Sequence, residues 1–174
     1  TVPHARDVVI DSSANKAYVS ATFQPEVVVF NAANPEKLKS ITIQTKAGGR
    51  GNTAKFSAAS LSLNAAAHRL FVVSNSPHEV AVINTQTDEV LNVFAVPGAK
   101  GTIGVSHDPQ TGNIFVAAQG TDNLIVLNGE TGAVVADTPV GAGALNVVFD
   151  ASTRQAYVSN RGANSITVTD ANGQ

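Results

Sequence analysis

Cations and backbone amides that could hold an anion are densest in one segment of this chain. Thr45–Lys55 contains three glycines together with Lys46, Arg50 and Lys55. Glycines let a loop present several N–H groups to one oxyanion, and the cations supply charge-assisted hydrogen bonds, so the predicted chemistry is phosphate or carboxylate binding. It is no P-loop: the Gly-Lys-Ser/Thr ending is missing and no helix pattern follows. Gly98–Gly104 is a shorter glycine-rich turn carrying Lys100. Both segments equally suit plain connections between strands.

Catalytic patterns are thin. The histidines His4, His68, His78 and His107 fall in separate segments without metal-ligand spacing, so no metal site is expected. His107 beside Asp108 has the composition of a general base held by a carboxylate. The recurrence of Asp11, Asn64 and Asp150 without a neighbouring histidine assigns Asp108 instead to a repeated turn. Ser106-His107-Asp108 cannot form a triad within one strand, because adjacent side chains point to opposite faces. No Gly-x-Ser-x-Gly occurs, and no cofactor is expected.

The elements that must position these residues repeat. Asp11, Asn64, Asp108 and Asp150 each stand seven residues before an aromatic residue, Tyr18, Phe71, Phe115 and Tyr157 respectively. The aromatics are 53, 44 and 42 residues apart, a period suited to one four-stranded antiparallel propeller blade. Short β-branched runs such as Val27–Phe30, Val80–Ile83 and Leu124–Leu127 supply strands covered on both faces. Asn31, Asn84 and Asn128 open the turns that follow them. The reading is all-β, a β-propeller with about four blades represented, in units of approximately 5–43, 59–96, 103–140 and 144–174 within one partial domain, 1–174. The four aromatics are expected in the core. The last unit has three strands, which leads to the expectation of a fragment of a longer ring, with self-association as the second explanation.

Composition sets bounds. Of 174 residues 43% are apolar, net charge is −2 and cysteine is absent. A core is affordable, a grossly basic nucleic-acid binder is excluded, and so are disulfides and thiolate chemistry. No apolar run is long enough to span a membrane and no signal peptide is visible.

The segment Tyr157-Val-Ser-Asn160, followed by Arg161–Asp170, and its counterparts at Phe71–Asn84 and Phe115–Asn128 resemble the YVTN-type bacterial β-propeller repeats, most closely the YncE-like periplasmic propellers. The resemblance implies a seven-bladed ring, a periplasmic or otherwise exported bacterial protein, and binding, with single-stranded DNA among the ligands. In propeller geometry, Arg6, Lys46, Arg50, Lys55, Lys100 and Arg161 share one rim with Glu26, Glu79 and Asp122. The expectation is therefore a non-catalytic scaffold that binds single-stranded DNA, another anionic polymer or a protein through a basic loop face. Its ligand residues are Lys46, Arg50, Lys55, Lys100 and Arg161, and its open edges are covered by the remaining blades or by self-association. The alternative is a propeller enzyme, lactonase-like or quinone- or copper-dependent, with its active site largely in absent blades.

Overall fold

The computed structural model describes residues 2–34, 36–46 and 54–174. Fifteen strands among them form four antiparallel sheets. The first holds β1 (Ala5–Asp11), β2 (Lys16–Ala21), β3 (Glu26–Asn31) and β4 (Lys37–Thr42). The second holds β5 (Ala58–Asn64), β6 (Arg69–Ser74), β7 (Glu79–Asn84) and β8 (Glu89–Ala95). β9 (Thr102–His107), β10 (Ile114–Ala118), β11 (Asn123–Leu127) and β12 (Val134–Pro139) form the third, and β13 (Ala144–Asp150), β14 (Gln155–Asn160) and β15 (Ser165–Asp170) the fourth.

Turn chemistry sets the register. The Asp11 carboxylate accepts the amides of Ser13 at 3.1 Å and Ala14 at 3.0 Å; Asn64, Asp108 and Asp150 accept those of Ala67, Gln110 and Ser152. Four residues beyond each of these turn openers, the backbone enters the left-handed region at Asn15, His68, Gly112 and Arg154. These Asx-type turns fix where each hairpin reverses, so equivalent rows align in every sheet. Tyr18, Phe71, Phe115 and Tyr157 accordingly lie opposite Val9, Ser62, Ser106 and Val148.

Successive sheets are joined by three apolar clusters. Tyr18, Val27 and Val29 meet Leu61, Leu70 and Val72 between the first two sheets. Phe71, Val80 and Val82 meet Ile114, Val116 and Ile125 between the next two, and Phe115, Leu124 and Val126 meet Val147, Ala156 and Val158 beyond them. At about 1.5–3 kcal/mol for each fully buried large aliphatic or aromatic side chain, these clusters dominate the stability of the array. Polar clamps add register between sheets: Tyr18 Oη donates to Asp88 Oδ1 at 3.0 Å, and Phe149 N donates to Ser106 Oγ at 2.9 Å.

The ring expected from the repeat is corrected. Among the described residues the four sheets stand in an open row, the clusters join only neighbours in that row, and no sheet closes the array. The outward faces of the first and fourth sheets stay exposed, with Ile10 at 59% and Ile166 at 68%. The architecture is four open antiparallel sheets and not a closed β-propeller. The inference of partner blades completing a ring falls with it.

Candidate functional site

The innermost strands β1, β5, β9 and β13 lie side by side, and along them runs an open groove of about 850 Å³. That volume falls within the ordinary range for small-molecule sites. All four strands carry a register irregularity near their starts, at Arg6, at Ala59–Ser60, at Ile103 and at Leu145. A bulge breaks strict alternation and re-aims side chains. Near these irregular starts Arg6 with Asp7, Ser60 with Leu61, and Leu145 with Asn146 line the groove.

Four residues before each turn opener stand Asp7, Ser60, Gly104 and Asn146, of which Asp7, Ser60 and Asn146 line the groove as a polar tier. Asp7 is tied across the first two sheets. Its Oδ1 accepts from Val8 N at 2.9 Å and its Oδ2 from Leu61 N at 2.8 Å. Gly104 has no side chain because a Cβ there would meet the Asn146 Cα at 2.7 Å, so β9 and β13 approach backbone to backbone. Below the tier the wall is apolar, with Val9, Leu61, Val105 and Val147.

At the turn end of the same strands, Ser62 Oγ and His107 Nδ1 are 2.8 Å apart, and the His107 ring lies 5.4 Å from that of Phe71. Burial pushes the His107 pKa below its ordinary 6.5, against the smaller upward pull of Asp108. Asp108 is fully buried. Burial raises its pKa, but hydrogen bonds from the Arg154 guanidinium, the Thr111 hydroxyl and the Gln110 amide outweigh that and hold the carboxyl below its usual value. His107 and Asp108 thus point to different partners. The equivalent pair in the next repeat is Phe149 and Asp150, and Phe149 stacks on Phe115 at 5.0 Å. His107 takes the place of an inter-sheet aromatic ring, and Asp108 combines turn formation with an ion pair to the fourth sheet.

The ligand residues expected from sequence are scattered over separate connections. Arg50 lies outside the described residues, as does most of the glycine-rich loop. The backbone N–H of Lys46 donates to Glu79 Oε1 at 3.0 Å, and its ammonium sits 5.8 Å from the centre of the Phe94 ring. Lys55 precedes β5, Lys100 precedes β9 and Arg161 opens the β14–β15 turn; all three are exposed. Sequence reasoning missed the tier of Asp7, Ser60 and Asn146. Its signal is the constant offset from the turn openers, visible once the register is known.

Neither a family model nor a curated protein matches the chain. The assignment to YVTN-type, YncE-like propellers is therefore withdrawn. The basic loop face rests on closed-propeller geometry, which the four open sheets do not support. Single-stranded DNA or another anionic polymer as partner, and the propeller-enzyme alternative, are set aside for the same reason.

Proposed function

We propose that the chain is a non-catalytic recognition domain that takes a small organic ligand in the groove along β1, β5, β9 and β13. One observation carries this reading: polar residues Asp7, Ser60 and Asn146 and apolar residues of the four inner strands line one groove of about 850 Å³. Few oriented polar groups over an apolar surface are the usual make-up of a binding site. The non-catalytic part rests on the carboxylate beside His107: Asp108 is held by Arg154 across sheets, so it does not orient the His107–Ser62 pair as a triad would require.

Nuclear magnetic resonance of the labelled chain with a library of small fragments tests this. Shift changes should converge on the amides of Val9, Leu61, Val105 and Val147, and Asn146→Trp, at an exposed position on the groove, should abolish them. The ligands should be recovered chemically unchanged. Hits dispersed over the surface would overturn the groove, and conversion of a bound fragment would overturn the non-catalytic assignment.

A further inference from the structure

Resting on the groove reading, we propose that its ligand is a small zwitterion, an α-amino acid with an apolar side chain, bound by its ammonium at Asp7 and its carboxylate at Arg6. Arg6 and Asp7, adjacent at the irregular start of β1, both line the groove. The Asp7 carboxylate is held by two backbone N–H groups, each taking one oxygen, and keeps further lone pairs for a cation. Among the described residues, neither Arg6 nor Asp7 forms an ion pair, with each other or with any other side chain. One fixed anion and one unpaired guanidinium on the same wall are complementary to a ligand carrying both charges.

The rest of the tier fits that ligand. The Ser60 hydroxyl and the Asn146 carboxamide, at the positions equivalent to Asp7, line the groove. They offer a donor and acceptors to the ligand's ammonium and carboxylate. Val9, Leu61 and Val105 form an apolar floor for a side chain such as that of leucine.

Isothermal titration with L-leucine, N-acetyl-leucine and leucine amide provides the test. Leucine should bind best, because acetylation removes the ammonium and amidation removes the carboxylate. Arg6→Gln should weaken leucine about tenfold and leave leucine amide unchanged, as expected for loss of one charge-assisted contact. Asp7→Asn should do the same for leucine while sparing N-acetyl-leucine. Among the described residues Arg6 forms no ion pair, so its variant remains informative if Asp7→Asn disturbs folding. Equal affinity for all three ligands, or no effect of Arg6→Gln on leucine binding, would overturn the zwitterion assignment. If leucine fails to bind while neutral fragments still converge on the groove, the zwitterion is wrong and the groove stands; if both fail, both are wrong.

Discussion

His107 shows how one side chain couples packing to protonation. Its ring occupies the position at which Phe149 stacks in the next repeat, and it contacts Phe71 and Ser62. Burial lowers its pKa from 6.5, so the folded state prefers the neutral ring. The unfolded chain then binds the proton first. The stability contributed by this preference is complete above about pH 6.5 and declines as pH falls toward the folded value. His107→Phe supplies the ring its equivalent uses, and it should flatten the dependence of urea midpoint on pH just below 6.5. The carboxylates Asp11, Asp108 and Asp150, whose pKa values are lowered from 3.8, act in a separate and more acidic window. They bind protons first in the unfolded chain as well, so the stability they contribute is lost only as pH falls below about 3.8. An unchanged slope in the His107→Phe variant between pH 6.5 and 5 would show that His107 is not the group responsible.

At the scale of elements, β9 and β13 approach each other closely at Gly104. An added Cβ would lie 2.7 Å from Asn146 Cα and 3.0 Å from Leu145 O, both backbone atoms that move only with the fourth sheet. Gly104→Ala should therefore cost about 1–3 kcal/mol, the usual range for overpacking, and hydrogen exchange in β13–β15 should accelerate first. Gly112→Ala is the contrast: nothing lies within 4 Å of its Cβ, and only its φ of 75° is unfavourable. A Gly104→Ala variant as stable as the parent would contradict the close approach. The strands themselves were legible in the sequence. β-branched runs between Asp and Asn turn openers placed β3, β7 and β11, and Tyr18, Phe71 and Phe115 are buried as expected for core aromatics. The groove was not legible, because it forms only where β1, β5, β9 and β13 of four different sheets lie side by side, and the irregular starts near Arg6 and Leu145 leave the register there unpredictable. A bulge changes which face a residue serves without leaving a composition signal. Nor was the pairing of Ser62 with His107, which are 45 residues apart and meet only when two sheets pack.

Across the whole molecule, the same row of residues has two fates set by neighbours. Tyr18, Phe71 and Phe115 are at most 3% exposed because a following sheet covers each, whereas Tyr157 in the fourth sheet is 37% exposed. Around it Val148, Ile166 and Val168 are between 47% and 68% exposed, making a continuous apolar face on the open side of the array. Periodicity could report the repeat but not closure, since identical units stack equally well in an open row; closure is a property of the ends. Large exposed apolar patches bind hydrophobic probes and lower solubility. An environment-sensitive naphthalene sulfonate dye should therefore fluoresce with the folded chain under conditions where its near-ultraviolet spectrum shows fixed tertiary packing. Replacing Tyr157 and Ile166 by Lys should remove most of that signal and raise solubility. The midpoint of urea unfolding should change by less than about 1 kcal/mol in equivalent stability, because exposed side chains far from special contacts contribute little. A large destabilisation by these two replacements, or undiminished dye binding, would mean that the face is covered in solution and that the open row is not the state the chain adopts there.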